Sequence, residues 1–90
     1  MRKISFEKTY AKDIKAFQKK RYSFDRLEMI IGEMQTMNGI MGGRFSDHAL
    51  VGSWAGYREL HVERNVLLIY KLTEDEIIFV RLGTHDDLFK

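Results

Sequence analysis

Ninety residues bound a single domain, because two cores would each fall below the size that folds unaided. With 44% hydrophobic and 31% charged residues the composition is that of a folded chain, and the absence of cysteine excludes a disulfide framework, a thiol nucleophile and a cysteine-ligated zinc site. The net charge is only +2, yet residues 2–21 hold eight basic groups against Glu7 and Asp13, which makes this segment +6 and the remainder −4. Such asymmetry points to a polyanion or an acidic partner met by one face, or to no more than a solvated helix side. No apolar run reaches the roughly 20 residues of a membrane span and there is no apolar signal core, so a soluble cytoplasmic protein without membrane contact is expected. A core this small also favours a partner that covers apolar surface.

Arg2 to Phe6 reads as a short strand with Ile4 and Phe6 on one side. From Phe6 the apolar residues fall at Phe6, Tyr10, Ile14 and Phe17, the spacing of a helix. Lys8, Lys12, Lys15 and Lys19 follow the same spacing on the opposite side, so the first helix should bury one stripe and present lysines on the other. Ser23 is placed to cap a second helix, with Asp25 in its first turn. Phe24, Leu27, Ile31, Met34 and Met37 form its apolar face, and Asn38-Gly39 supplies the stop. A methionine-rich face of this kind is core filler or, less commonly, an adaptable groove.

Residues 39–53, punctuated by Gly39, Gly42, Gly43 and Gly52, read as a loop with a short extended piece. Tyr57 to Val62 then alternates, setting Arg58, Leu60 and Val62 on one face and Tyr57, Glu59 and His61 on the other. Val66 to Leu72 is almost continuously apolar, as expected of a central strand buried on both faces, and Ile77 to Leu82 is similar. Residues 63–65 and 73–76 fit hairpin loops. The expected architecture is α+β, with two N-terminal helices on one face of a mostly antiparallel sheet of four or five strands.

The chain has three histidines, His48, His61 and His85, each at the edge of an expected element. Their intervals match no HxH or HExxH metal pattern, and no serine occupies a nucleophile elbow. Imidazole acid–base chemistry without a metal or cofactor fits better, since histidine both gives and takes protons near neutrality. Metal-free RNA cleavage needs a base for the 2′-hydroxyl, an acid for the 5′ oxygen and cations on the phosphate. The histidines can supply the first two. Arg81 can clamp phosphate and Phe89 can stack on a base. The alternative is three unrelated surface histidines and an ordinary strand arginine.

The segments Asp47-His48-x-Leu50-x-Gly52, Trp54-x-Gly56-x-Arg58-Glu59-Leu60-His61-Val62, Leu67-Leu68-Ile69-Tyr70-Lys71 and Arg81-Leu82-Gly83-Thr84-His85-Asp86-Asp87-Leu88-Phe89 occur in this order and at short spacing. Together they resemble the YafQ branch of the RelE/ParE toxin superfamily. The resemblance implies a RelE-like toxin of a type II toxin–antitoxin system, an endoribonuclease that cuts mRNA in the ribosomal A site and leaves a 2′,3′-cyclic phosphate. It implies a cognate antitoxin as partner, and operator DNA as a partner only of the toxin–antitoxin complex. By the same resemblance His85 is the proton donor, and His48, His61 and Phe89 hold substrate and help to deprotonate the 2′-hydroxyl; Arg81, Arg58 and Asn65 are further candidate substrate contacts. Lys12 and Lys15 would meet ribosomal phosphates without sequence choice.

One departure stands out. The family usually carries proline, aspartate and often tryptophan after the segment matching His61-Val62, where this chain has Arg64, Asn65 and Val66. Asn65 hydrogen-bonds but is no base, so a histidine must serve, or activity is weakened. Two alternatives therefore stand beside the nuclease. One is an inactive relative that keeps only antitoxin binding and operon repression. The other is a binding-only, ParE-like gyrase poison, for which histidines at these positions would be unneeded.

Overall fold

The computed structural model describes residues 2–37, 39, 41 and 43–89. Five strands and three helices follow in chain order: β1 (Lys3–Phe6), α1 (Lys8–Lys19), α2 (Asp25–Thr36), β2 (His48–Ala49), β3 (Arg58–Glu63), β4 (Val66–Leu72), β5 (Glu76–Gly83) and α3 (His85–Leu88). Short 3-10 turns at Arg44–Ser46 and Gly52–Trp54 flank β2. The sheet order is β1-β5-β4-β3-β2. The β2–β3, β3–β4 and β4–β5 pairs are antiparallel, and only β1 lies parallel to its neighbour β5.

The continuous apolar run Val66–Tyr70 does lie at the centre of the sheet, buried on both faces. Val66, Leu68 and Tyr70 point to the helix side, where they meet Leu60, Val62, Ile77, Phe79 and Leu82 of the neighbouring strands and Tyr10, Leu27, Ile30 and Met34 of α1 and α2. Leu67 and Ile69 point the other way and, with Val80 and Leu88, form a smaller cluster under Leu50, Trp54, Tyr57 and Phe89. Each fully buried aliphatic side chain contributes about 1.5–3 kcal/mol. The helices cover one face; loops and the short α3 cover the other, and the second face is where a site has room.

The first helix keeps its expected division, with Tyr10 buried, Ile14 and Phe17 half-buried, and Lys8, Lys12, Lys15 and Lys19 exposed. Phe6 is a correction. It ends β1, as the strand reading has it, but does not join the buried stripe of α1 and remains 62% exposed, its ring 6.0 Å from that of Tyr10. In α2 the buried residues are Leu27, Ile30 and Met34, so the inward stripe runs through Ile30 where Ile31 was expected, and Met37 lies past the helix end and exposed. Ser23 is not the cap. Phe24 occupies that position, and the Asp25 N–H reaches back to Ser23 Oγ only at 3.5 Å. The stop is Gly39, whose N–H donates to Met34 O at 2.8 Å with φ +117°, while a Cβ there would meet Leu72 Cδ2 at 2.8 Å. Asn38 and Gly42 lie outside the described residues.

Two features at β5 prepare the site. Ile69 pairs with Arg81 but Tyr70 pairs with Phe79, so Val80 is an extra residue and the ladder is bulged there. The parallel partner β1 stops at Phe6 opposite Phe79, leaving the next stretch of β5 without a strand on its outer side. Side chains of α1 take over that edge: Thr9 Oγ1 donates to Val80 O at 2.6 Å, and Asp13 Oδ2 accepts from the Leu82 N–H at 2.9 Å.

Candidate active site

Strand alternation brings Glu59 and His61 to the face of β3 away from the helices, and the antiparallel register sets His48 of β2 directly opposite Glu59. Glu59 Oε2 lies 3.1 Å from His48 Nε2 and 4.0 Å from His61 Nε2. Its side chain is only 9% exposed, whereas the two imidazoles are open to solvent. A nearly buried carboxylate thus stands between two accessible histidines.

The other nitrogen of His48 is also committed, since Nδ1 lies 2.6 Å from Ser46 O. Both ring nitrogens therefore face oxygen acceptors. The ring is thereby held from both sides, by the Ser46 carbonyl and by Glu59. His61 carries no such second restraint. The Ser46 carbonyl is aimed by an uncommon backbone: Phe45 and Ser46 have φ of +56° and +54°, and the Phe45 ring is held between Arg26 and Arg44 at 5.5 and 5.2 Å.

The third histidine begins α3, capped by Thr84, whose Oγ1 accepts from the Asp87 N–H at 3.2 Å. The exposed His85 ring is 5.0 Å from Phe89 between centroids. From there a chain of edge contacts runs through Trp54, 5.8 Å from Phe89, to Tyr57, 5.2 Å from Trp54. Tyr57 precedes β3 on the same side as Glu59 and His61, so α3 and the outer face of β3 are joined through the smaller core cluster.

The remaining expected residues are not gathered at this point. Arg58 shares the helix side with Leu60 and Val62, and its Nε donates at 3.0 Å to Asp47 Oδ1. Asp47 is buried and also accepts from the Met41 N–H at 2.9 Å and from the Tyr70 hydroxyl. Burial first, then the hydrogen bond to Asp47, pushes the Tyr70 phenol well above its ordinary range. For Arg58 burial opposes the charge, but hydrogen bonds and attraction to Tyr70 and Asp47 raise its proton affinity on balance. This network closes the core beneath β2 and leaves Arg58 engaged there. Arg81 is bound by Asp13 of α1, at 2.7 Å from Nε to Oδ2 and 3.2 Å from Nη2 to Oδ1, and this pairing raises its proton affinity despite partial burial. Asn65 lies exposed in the two-residue turn between β3 and β4, while Val66 is turned into the helix-side core. Lys12 and Lys15 are exposed on α1.

Sequence reasoning gave no role to Glu59, Trp54 or Asp13. The signal for Glu59 was its position two residues before His61 on an alternating strand, which places both on one face. For Trp54 and Asp13 there was no periodic signal, because their partners are 35 and 68 residues away along the chain.

A family of bacterial toxins of type II toxin–antitoxin systems, YafQ, matches residues 2–90. The chain belongs to the YafQ family. It is 39% identical over 88 residues to the mRNA interferase toxin YafQ of Escherichia coli strain K12, covering 98% of this chain and 96% of that one. The fold agrees with YafQ structures over the full length. A crystal structure of a YafQ variant from Escherichia coli superposes with a TM-score of 0.88 at 37% identity, covering 100% of both chains. YafQ in the Escherichia coli DinJ–YafQ toxin–antitoxin complex gives 0.86 at 38% identity, covering 99% of this chain and 98% of that one. The superposition spans the elements from β1 to α3. No helix among the described residues is long and apolar enough to cross a membrane.

Proposed function

We propose that this chain is a ribosome-dependent mRNA endonuclease that works by histidine acid–base chemistry without a metal. The observation that carries the reading is the Glu59 carboxylate lying between His48 and His61 on the open sheet face, with His85 on α3 joined to that face through Phe89, Trp54 and Tyr57. The similarity to a relative named an mRNA interferase supports it.

In this reading His61 takes the proton of the 2′-hydroxyl, because its ring is less closely held by neighbouring oxygens than that of His48. The 2′ oxygen attacks the adjacent phosphorus, and His48 helps to hold the substrate beside the phosphoryl oxygens as negative charge gathers there. His85 gives a proton to the departing 5′ oxygen. The products are a 2′,3′-cyclic phosphate and a free 5′-hydroxyl. Phe89 stacks on a base, Arg81 meets a phosphate, and Asn65 offers a hydrogen bond from the turn. Glu59 orients both of its histidines and offsets the charge on His61 once it has taken the proton. The exposed lysines of α1, Lys12 and Lys15 among them, supply salt-sensitive attraction to ribosomal RNA.

A cognate antitoxin, by analogy with the DinJ–YafQ complex, would hold the toxin silent, and the complex would bind operator DNA. Both would act in the cytoplasm. Asn65 at the family's aspartate position is the reason to carry a second reading, a catalytically weakened relative kept for antitoxin binding. Induced expression of the parent and of His85→Ala, with growth followed and a reporter mRNA mapped by primer extension, separates the two. Arrest with new in-frame cuts that vanish in His85→Ala is the expected result. Folded parent protein that neither arrests growth nor cuts would favour the weakened relative, with Asn65→Asp as the rescue.

A further inference from the structure

Asp13 is one of two acids in the basic segment 2–21, and the acid–base chemistry above does not use it. Both acids turn toward the sheet. Glu7 pairs with Lys71 of β4 at 3.4 Å, and Asp13 lies three residues after Tyr10 and four before Phe17, on the flank of the buried stripe. Its carboxylate accepts three hydrogen bonds, two from the Arg81 guanidinium and one from the Leu82 N–H on the edge of β5 that β1 leaves bare. The carboxylate is thus tied to the strand itself as well as to the arginine beside it.

A carboxylate that meets Nε and Nη2 side-on uses two of the five guanidinium N–H groups and leaves three for another acceptor. Arg81 lines a cleft of about 330 Å³ between α1, β5 and α3, with Lys20, Thr84 and Asp87 on its walls. The Arg81 side chain remains 30% exposed, so Asp13 holds the guanidinium without covering it. A free arginine samples many rotamers, and a partner fixed to the backbone removes that freedom before a ligand arrives.

We propose that Asp13 is a positioning residue, which fixes the Arg81 guanidinium on β5, four residues before His85, so that its free N–H edge meets an RNA phosphate. The proposal rests on the nuclease reading above. It assigns to the acid of a lysine-rich helix a part in substrate binding that its own charge would oppose, and it makes α1 contribute to the site through its inner flank.

The test is cleavage of a reporter mRNA on purified ribosomes by the parent, Asp13→Asn, Arg81→Ala and the double variant, with thermal melting of each. Asparagine keeps an acceptor for the Leu82 N–H and loses the charge and the paired geometry. Asp13→Asn should melt close to the parent yet lose about 100-fold in kcat, the cost of a displaced binding group. In the Arg81→Ala background it should cost no more than about twofold further, because the two residues act as one unit. Full additivity would mean that Asp13 only braces α1 on β5, and a faster Asp13→Asn would mean that it restrains Arg81; either overturns the proposal. If Asp13→Asn does not fold, Arg81→Lys replaces it, since lysine keeps a cation but cannot bridge both carboxylate oxygens. A comparable loss is then expected, and parental kcat would overturn the idea. A folded parent that cleaves nothing overturns the nuclease reading and this proposal together, whereas a cleaving parent with an unimpaired Asp13→Asn overturns this proposal alone.

Discussion

His48 and Glu59 face each other across the β2–β3 ladder, Nε2 to Oε2 at 3.1 Å, and the same carboxylate oxygen lies 4.0 Å from His61. One acidic side chain thereby stands beside two imidazoles that arrive from different strands. Replacing Glu59 by Gln keeps the shape and removes the charge. We expect kcat for mRNA cleavage to fall by about 100-fold, the usual range for a misoriented acid–base group. Single-turnover cleavage on ribosomes checks this, and activity within a few fold of the parent would remove Glu59 from the mechanism.

Trp54 holds α3 against the outer face of the sheet through Phe89 and Tyr57. Trp54→Ala should cost about 2 kcal/mol in urea unfolding, less than a fully buried ring, because Trp54 is only half-buried. As the single tryptophan of the chain it also reports its own surroundings. Phe89→Ala should shift its emission to the red, and an unchanged spectrum would argue that the ring contact does not persist in solution.

Asp47 is the acceptor for Arg58, the Met41 N–H and the Tyr70 hydroxyl in the core beneath β2. Its removal strands a half-buried guanidinium and a buried phenol. Asp47→Ala should destabilise the fold by about 3–5 kcal/mol, the range for breaking one side of a buried ion pair. Denaturant unfolding gives the number directly; a loss under 1 kcal/mol would mean that water substitutes for the carboxylate.

Burial pushes the Tyr10 phenol up to about 12 from its ordinary 10. The folded state therefore holds this proton more tightly than the unfolded chain. The stabilisation is fully present below pH 10, where both states are protonated, and is lost as pH rises from 10 through 12. Urea unfolding at pH 9 and at pH 11.5 should differ by about 2 kcal/mol more in the parent than in Tyr10→Phe. Equal pH dependence in the two proteins would show that Tyr10 ionises as if exposed.

The local order of this protein is legible along the chain wherever a residue's environment depends on periodicity. The lysines of α1 point outward and Glu59 shares a face with His61, from spacings of 3.6 and 2, and the unbroken apolar run of β4 is buried on both faces. The misreadings lie at element boundaries. Phe6 ends β1 as expected but does not also start the helix stripe, Ser23 lies one residue before the cap, and Met37 lies beyond the last turn, because end positions are decided by which backbone groups find partners.

By itself, then, the sequence determined the α+β class, the central strands, the basic outer side of the first helix and the family to which the motifs point. Only the tertiary structure decided which charges meet. Asp13 reaches Arg81 across 68 residues because β1 ends early and bares an edge of β5; Glu59 meets His48 because a two-residue strand pairs in one register; Asp47 finds Tyr70 beneath the sheet. Periodicity fixes which way a side chain points, whereas pairing depends on strand order, register and where each element stops, and those are set by the packing of the whole chain.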